Sequence, residues 1–308
     1  MRAFVIEGPG RAGVREVPDP VARPGQVLVE VDRVGLCGTD VELFTGEIAY
    51  LRQGHAAYPL RPGHEWCGAV SAVGDGVDGS WLGRRVTGDT MLGCGRCPRC
   101  RGGRHHVCEQ RREIGIRGGW PGALAARLPV PAEALVPLPD PVGPAAGALV
   151  EPGGSALRAV QAARLEPGAR VLVWGPGTIG LLAAMFAAAR GAEIHVVGLT
   201  GTSLALARDL GVDGAWTAAG LPELPWDAVI DATNDAAVPR RALEATEPGR
   251  RVVYVGLAGA VDHYATGQVD PEPLVAATVG LDQVAGVLAG GRPPGAGPGP
   301  KIQVDPRR

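Results

Sequence analysis

The sequence predicts an α/β protein in which an all-β N-terminal half precedes a doubly wound parallel sheet. Up to Val150, short Val-rich runs alternate with turn residues about every ten positions, which is typical of a small β-barrel or sandwich. After Val150 the chain becomes rich in Ala and Leu, and short apolar runs alternate with stretches of helical periodicity. This second pattern is typical of consecutive βαβ units.

The individual elements follow from the local pattern. In the N-terminal half, strands are predicted at Gly25–Val34, where apolar and polar residues alternate, and at Gly68–Val73 and Arg84–Val86. In the second half, the predicted strands are Arg170–Trp174, Glu193–Val197, Gly214–Thr217, Trp226–Asp231, Arg250–Gly256 and, after a Gly/Pro-rich loop, Lys301–Val304. The predicted helices are Ala156–Leu165, Thr178–Arg190, Thr202–Leu210 and Ala237–Thr246.

The bulk composition excludes several classes of function. The 308 residues are 45% hydrophobic and 20% charged with a net charge of −2, which argues against a general polyanion-binding protein. Arginines cluster between Arg96 and Arg117, where a solvated face around a loop is favoured over a nucleic-acid patch. Lys301 is the only lysine, so a P-loop lysine, a Schiff-base lysine and a Tyr-x-x-x-Lys pair are excluded from the body of the chain.

The N-terminal residues and the cysteines indicate the compartment. Met1–Glu7 provides no apolar core long enough for a signal peptide, and the longest apolar stretch, Ile179–Ala189, is too short to span a membrane. The six cysteines are spaced for metal binding rather than for a disulfide scaffold. We therefore expect a cytoplasmic protein without a membrane partner.

Four of the six cysteines lie in the segment CGRCPRCRGGRHHVC, which begins at Cys94 and ends at Cys108. The spacing offers four thiolates, which satisfy the tetrahedral preference of Zn²⁺ and leave no position for a substrate or an activated water. The sequence therefore predicts a structural zinc site formed by Cys94, Cys97, Cys100 and Cys108.

The segment GPGTIG, Gly175–Gly180, matches a dinucleotide-binding fingerprint. It follows a predicted buried strand at once and opens a predicted helix at Thr178 and Ile179. In such a turn the first glycine, Gly175, permits the tight bend, and the second, Gly177, admits the pyrophosphate. The third, Gly180, lets the helix pack on the strand, and the helix N-terminus faces the negative charge.

The end of the second strand of this unit bears on the choice of cofactor. An acid that would bind the adenosine ribose is expected there, but Gly198 stands in its place. The missing carboxylate makes a 2′-phosphate acceptable and favours NADP. However, no arginine that could bind this phosphate lies close by in the sequence, and Arg208 is the nearest candidate downstream. Hydroxyls at Thr200, Thr202 and Ser203 suit either NADP or NAD.

A second candidate metal set comes from three short motifs. Cys37 begins CGTD, His64 and Glu65 end GHE, and Glu151 precedes Pro152. A cysteine, a histidine and a carboxylate suit zinc and leave one position for water or substrate. Each motif alone is most simply explained as core or turn. Together with the four-cysteine loop and the dinucleotide turn, they predict a catalytic zinc site.

In chain order the five motifs are CGTD, GHE, the four-cysteine loop, Glu151–Pro152 and GPGTIG. Their types and their order resemble those of the zinc-containing medium-chain alcohol and polyol dehydrogenases. The resemblance covers nearly the whole chain and implies a GroES-like β-barrel catalytic domain at residues 1–152. It implies a Rossmann domain at 153–262 and a C-terminal segment, 263–308, that returns to the catalytic domain. It also implies one catalytic and one structural zinc ion and NADP or NAD as cofactor.

The resemblance assigns roles to individual residues. Cys37 and His64 match ligands of the catalytic zinc, and Glu65 and Glu151 both match positions that bind it directly or through water. Thr39 matches the hydroxyl that hydrogen-bonds the reacting oxygen, and Asp40 a residue that steadies a ligand. Cys67, His105 and His106 match no ligand position. Cys67 is expected in the core, and the two histidines are expected in solvent.

The chemistry implied is hydride transfer between an alcohol carbon and the nicotinamide, with the alcohol activated by zinc. Many relatives continue the proton path from the threonine through a histidine, but Glu42 stands at that position here. Proton exit through Glu42, through Glu65 or through water is therefore open.

Two features depart from the family pattern. The continuation GGSALRAV after Pro152 is expected to loosen the backbone beside Glu151. After the strand RVVYVGLAG, the family pattern continues with a further strand and helix, which this chain lacks near Val261. From typical strand and helix lengths, the missing segment corresponds to about 25 residues. The Rossmann sheet is thus predicted to lack an edge strand that pairs subunits in many relatives, and the usual dimer is not expected.

The favoured function is NAD(P)-dependent oxidation of a secondary alcohol of a polyol, sugar or cyclitol. The alternatives are an NADPH-dependent reductase of small aldehydes or ketones, and a family member that binds zinc but has lost activity. A zinc-ribbon protein that binds nucleic acid through the arginines is a third alternative, which the dinucleotide turn argues against. We therefore expect a small-molecule alcohol or carbonyl substrate and no nucleic-acid partner.

Overall fold

Two compact units make up the protein in this computed structural model, which describes residues 1–199, 201–255 and 269–308. The first unit comprises residues 1–149, 277–296 and 301–308, and the second comprises 150–276 and 297–300. The predicted domain limit at 152 stays a prediction. The limit predicted at 262 lies outside the described residues.

The first 149 residues, all of them described, form nine strands and four short α-helices. The strands are β1 (Arg2–Gly8), β2 (Arg11–Glu16), β3 (Gln26–Gly35), β4 (Glu65–Val73), β5 (Arg85–Gly88), β6 (Met91–Leu92), β7 (Arg112–Glu113), β8 (Arg127–Pro131) and β9 (Leu135–Pro137). The helices are α1 (Gly38–Thr45), α2 (Ala49–Arg52), α3 (Pro98–Arg101) and α4 (Pro144–Ala148). The strands predicted near residues 25, 68 and 84 are confirmed as β3, β4 and β5, whereas the β1–β2 hairpin was not predicted.

The second unit alternates strands and helices. Its elements are α5 (Val150–Ala163), β10 (Arg170–Trp174), α6 (Thr178–Ala188), β11 (Glu193–Val197), α7 (Gly201–Asp209), β12 (Gly214–Trp216), β13 (Trp226–Asp231), α8 (Val238–Ala245) and β14 (Thr246–Tyr254). The chain then forms β15 (Val275–Val279), α9 (Val284–Leu288) and β16 (Lys301–Val304). The predicted bounds of β10, β11, β13 and β16 are confirmed to the residue.

A mainly antiparallel sheet organises the first unit. Its strand order is β15-β16-β3-β4-β5-β9, and β8 also pairs with β3. Strand β3 pairs antiparallel with β4 over most of its length, and Gly35 lies opposite Glu65. Strand β16 pairs antiparallel with the end of β3. The sheet thus places residues from near 35, near 65 and near 301 side by side.

The sheet of the second unit is parallel, with the order β12-β11-β10-β13-β14. The order reverses at β10, because the chain moves outward from it first to β11 and then to β13. Such a reversal point at the carboxyl ends of the strands is where doubly wound sheets bind dinucleotides. The doubly wound prediction is confirmed. The predicted loss of an edge strand concerns the segment around Val261, which lies outside the described residues.

The backbone after Glu151 is regular, so the expected loosening is wrong. Residues 150–163 form the single helix α5, with Gly153 and Gly154 buried inside it. Pro152 lies in the first turn, where a helix does not need its missing N–H group. Helix α5 packs against α6, and tertiary packing outweighs the low helix propensity of the two glycines.

None of the helices in the described ranges is both long and apolar enough to cross a membrane.

Candidate active site and dinucleotide turn

Three of the four side chains in the second predicted metal set lie close together in the first unit. Ligand atoms of Cys37, His64 and Glu65 all lie within 4.8 Å of one another. Cys37 is the N-cap residue of α1, and His64 and Glu65 lie at the start of β4. His64 and Glu65 are almost fully buried, at 4% and 1% exposure, whereas Cys37 is half-buried. A thiol, an imidazole and a carboxylate thus share one small space.

Asp40 joins the two loops that carry these side chains. One oxygen of its carboxylate accepts a hydrogen bond from the backbone N–H of Cys37 at 2.9 Å. The other accepts one from the N–H of Gly63 at 3.2 Å and lies 3.6 Å from Nδ1 of His64. Asp40 is fully buried. It therefore holds Cys37 and His64 at a fixed separation, as the sequence-based role predicts.

Gly63 gives the His64 loop its shape. Its φ angle is +101°, in the region that favours glycine, and a Cβ atom there would lie 2.9 Å from the backbone N of Leu124. A side chain at position 63 would therefore displace the loop and His64 with it.

The electrostatics of the cluster favour a cation. Burial lowers the pKa of His64, but the nearby charge of Asp40, followed by that of Cys37, raises it well above its usual value. For Asp40, burial raises the pKa, but the charge of His64 and the hydrogen bonds from the backbone N–H groups of Cys37 and Gly63 bring it below its usual value. A buried position that stabilises positive charge among S, N and O donors fits a zinc ion.

The two residues predicted for proton movement both lie on α1. The Thr39 hydroxyl oxygen is half-buried and lies 4.0 Å from Sγ of Cys37. Glu42 follows one turn later and is exposed to solvent. The helix thus carries a hydroxyl beside the cluster and an exposed carboxylate one turn later. Glu151 lies in the first turn of α5, in the second unit, and its role as a ligand stays a prediction.

One residue of this site was missed by the sequence-based interpretation. Nζ of Lys301 lies 2.8 Å from both carboxylate oxygens of Glu65, and both side chains are buried. The carboxylate occupies the space above Gly35, since a Cβ atom there would lie 1.9 Å from Oε2 of Glu65. The only available signal was compositional: Lys301 is the single lysine of the chain.

The four-cysteine loop forms a second cluster, in the same unit. Ligand atoms of Cys94, Cys97, Cys100 and Cys108 lie within 4.8 Å of one another. The Sγ–Sγ distances are 4.0 Å between Cys94 and Cys100 and 3.8 Å between Cys97 and Cys108. Zn–S bonds of about 2.3 Å in a tetrahedron place sulfurs about 3.8 Å apart. The four sulfurs therefore fit a closed zinc site.

The thiol chemistry agrees with this fit. Backbone N–H groups of Arg96 and Cys97 lower the pKa of Cys94 to about 6, and the N–H of Cys100 lowers that of Cys97. Burial and the neighbouring thiol of Cys97 raise the pKa of Cys100 to about 11. Two sulfurs are thus readily ionised, while a full set of thiolates requires a cation at the centre.

Cys67, His105 and His106, which match no ligand position, lie where the sequence predicts. Cys67 is buried, its Sγ lies 3.1 Å from the carbonyl oxygen of Pro144, and burial raises its pKa to about 12. Nε2 of His105 pairs with Asp89 at 2.6 Å on the surface, and His106 is exposed. In the arginine cluster, Arg99 pairs with Glu109 at 3.0 Å.

The predicted dinucleotide turn lies between β10 and α6 of the second unit. Gly175 has a φ angle of +97°, and a Cβ atom there would lie 2.9 Å from the carbonyl oxygen of Ala232. A Cβ atom at Gly180 would lie 1.9 Å from the carbonyl oxygen of Gly175, whereas nothing lies within 4 Å of one at Gly177. Thr178 and Ile179 begin α6. The geometry matches the three predicted glycine roles and leaves open space at the central one.

At the end of β11, Gly198 stands where an acidic residue was expected. Gly198 lies under Pro176, whose Cγ atom would be 2.7 Å from a Cβ atom at 198. Nη2 of Arg208 donates to the carbonyl oxygen of Ala215 at 2.8 Å, so its side chain is directed to β12. Ser203 lies in the first turn of α7. Thr200, also predicted to contact the cofactor, lies outside the described residues.

Replacing Gly180 with alanine is expected to disrupt the dinucleotide turn. Because the new methyl group overlaps the carbonyl oxygen of Gly175, α6 must move away from β10, at a cost of about 1–3 kcal/mol in stability. NAD(P) affinity should fall at least about tenfold, as measured by quenching of intrinsic fluorescence. Gly177→Ala, where a Cβ atom has open space, is the matched control for folding and should leave the thermal midpoint unchanged.

Comparisons with known proteins extend over both units. Residues 23–140 match a model of the alcohol dehydrogenase GroES-like domain, and residues 178–279 match a model of zinc-binding dehydrogenases. An L-threonine 3-dehydrogenase of Rhizobium rhizogenes is 30% identical over 259 residues, which are 80% of this chain and 73% of the relative. A sorbitol dehydrogenase of Halalkalibacterium halodurans is 33% identical over 220 residues, 70% of this chain and 62% of the relative.

The structural comparison agrees with the sequence comparison. A putative zinc-binding dehydrogenase from Sinorhizobium meliloti, solved bound to NADP, superimposes with a TM-score of 0.88 at 27% identity, and 99% of each chain is covered. The alcohol dehydrogenase TADH from Thermus sp. ATN1 superimposes with a TM-score of 0.83, also at 27% identity, and again 99% of each chain is covered.

Proposed function

The chain belongs to the family of zinc-dependent NAD(P) alcohol dehydrogenases, and on that premise we propose that it oxidises a secondary alcohol of a polyol, sugar or cyclitol. The observation that carries the proposal is the convergence of Cys37, His64 and Glu65 within 4.8 Å, with Asp40 behind them. The substrate class is supported by the resemblance, in which Glu65 and Glu151 match metal-binding positions of the polyol and glucose dehydrogenases. It is also supported by the relatives, since threonine and sorbitol both carry secondary hydroxyl groups.

We propose that Cys37, His64 and Glu65 bind the metal. Glu151 is the other candidate for a carboxylate ligand. A zinc ion held there would supply a Lewis acid that activates the alcohol group near neutral pH. Thr39 hydrogen-bonds the reacting hydroxyl group, accepts its proton and gives up its own hydroxyl proton in the same step. That proton leaves to water directly, through Glu65, or through Glu42, which is exposed one helical turn away.

The cofactor side of the proposal assigns the pyrophosphate to the open space at Gly177 and to the N-terminus of α6 at Thr178 and Ile179. No carboxylate stands at position 198 to reject a 2′-phosphate, and Arg208 is engaged with β12. We therefore propose that the enzyme accepts both NAD and NADP, with a preference of less than about tenfold.

Metal analysis coupled to a substrate screen tests this function. We expect two zinc ions per chain and reduction of NAD⁺ or NADP⁺ in the presence of polyols, sugars or cyclitols. Removal of the more weakly held zinc by a chelator should abolish the reaction. Small aldehydes and ketones with NADPH form a second arm of the screen, and turnover in that arm alone would favour a reductase.

A single tightly held zinc without cofactor-dependent turnover would refute the proposal in favour of an inactive, zinc-binding member of the family.

A cytoplasmic location is part of the proposal, because six free cysteines, four of them clustered, suit a reducing compartment.

The expected absence of the usual dimer stays a prediction. A light-scattering mass of a dimer joined through the edges of the parallel sheets would contradict it.

A further inference from the structure

Lys301 forms a buried ion pair with Glu65 beside the proposed metal ligands. Its Nζ atom lies 2.8 Å from each carboxylate oxygen and 3.0 Å from the carbonyl oxygen of Leu36. Three acceptors match the three N–H donors of an ammonium group. The side chains of Lys301 and Glu65 are 5% and 1% exposed, so water contributes little to stabilising either charge. Each charge therefore depends on the other for compensation.

The strand β16 fixes the position of the ammonium group. The N–H of Leu36 donates to the carbonyl oxygen of Ile302 at 3.0 Å, and Gln303 lies opposite Gly35 on β3. The Gln303 side chain is buried and donates to the carbonyl oxygen of Ala145 at 2.8 Å. Because the backbone on both sides of the contact is held, Lys301 cannot leave Glu65 by a simple shift of the strand.

The Glu65 carboxylate lies between Lys301 and the donor atoms of Cys37 and His64. Both oxygens accept hydrogen bonds from Lys301, and one of them also lies within 4.8 Å of the donor atoms of Cys37 and His64. A metal ion bound at that oxygen would lie close to the ammonium group, and the two like charges would repel each other. The carboxylate therefore cannot serve both cations at full strength.

The residue type at position 301 fits this geometry. Arginine supplies every other basic side chain of Lys or Arg type, and lysine is used only here. An ammonium group is a compact point charge that three acceptors can surround, whereas the planar guanidinium group is larger and binds carboxylates side-on.

We propose that Lys301 is a positioning residue that competes with the catalytic metal for the carboxylate of Glu65. The inference rests on the metal site proposed above, in which Glu65 is a ligand. Lys301 compensates the buried carboxylate when Glu65 is not bound to the metal. It also lowers the affinity of the site for a cation.

The metal affinity of variants tests the proposal in the full-length protein with the four-cysteine site filled. Competition with a chromophoric chelator should show that Lys301→Met binds Zn²⁺ at the second site about tenfold more tightly than the wild type, because the repulsion between the ammonium group and the metal ion is removed. In a Glu65→Gln background the same substitution should have a clearly smaller effect, since the carboxylate for which the two cations compete is gone. Arg307→Met, which removes a cation of the same segment paired with Asp32 and Asp305, should leave the affinity unchanged.

A wild-type measurement keeps the test independent of how the variants fold. With ¹⁵N-labelled lysine, the protein has a single lysine side-chain signal, that of Lys301. Filling the second site with Zn²⁺ should shift this signal and speed the exchange of its protons with water, because a hydrogen bond to Glu65 is lost. An unchanged signal, or an unchanged or weaker zinc affinity of Lys301→Met, would overturn the inference alone. Failure of the wild type to bind a second zinc would instead refute the proposed function.

Discussion

A Cys37→Ala chain is expected to bind one zinc ion instead of two and to lose turnover by at least about a thousandfold. The substitution removes the one thiol among the donor atoms that lie within 4.8 Å of one another. Cys37 is also the N-cap residue of α1, and the hydrogen bond from its backbone N–H to Asp40, which holds the helix start, does not involve the thiol. The expected change is therefore in the metal site, with little effect on the fold.

Zinc content by atomic spectroscopy and cofactor reduction with the best substrate of the screen are the two measurements. Cys67→Ala is the matched control, because Cys67 is a buried cysteine of the same unit that lies outside both clusters of candidate metal ligands. That control should keep two zinc ions. A Cys37→Ala chain that retains two zinc ions and turnover would show that the catalytic metal, if present, is held elsewhere.

The architecture was largely predictable because its signals are local. The strand before Gly175 is a continuous apolar run, and the glycines that follow it are required by close approaches that the structure contains. The limits of β10, β11 and β13 could therefore be predicted to the residue. The β1–β2 hairpin could not, because Arg11–Glu16 is mostly exposed and polar and lacks the alternation that marks a half-buried strand.

Only those residues of the candidate site that lie close together in the sequence, within one short motif, could be predicted. Cys37 and Asp40, or His64 and Glu65, are separated by three positions or fewer, and a short motif reveals them. The partner of Glu65 lies 236 positions away on β16, and it is adjacent only because β16 pairs with the end of β3. Likewise, the engagement of Arg208 with Ala215 depends on the packing of α7 on β12 and has no signal in the sequence.

A Cys100→Ala chain is expected to lose the other zinc ion and much of its stability while keeping metal-dependent turnover. Four sulfurs close the loop between Cys94 and Cys108, and a metal there stabilises the fold because the unfolded chain offers no preformed site. Loss of such a site is among the changes that cost about 4 kcal/mol or more, which corresponds to a fall of roughly 10 °C in the thermal midpoint.

Thermal unfolding, zinc content and turnover below the lowered midpoint separate this effect from that of Cys37→Ala. His105→Ala is the matched control in the same loop, since His105 pairs with Asp89 on the surface and belongs to neither cluster of candidate ligands. It should keep two zinc ions and lower the midpoint by no more than about 2 °C, as expected of a surface ion pair. If His105→Ala lost the zinc, or if Cys100→Ala kept it, the closed four-sulfur site would be wrong. If Cys100→Ala lost turnover without unfolding, the metal of this loop would have to act in the reaction, against the argument that four protein sulfurs leave no position for a substrate.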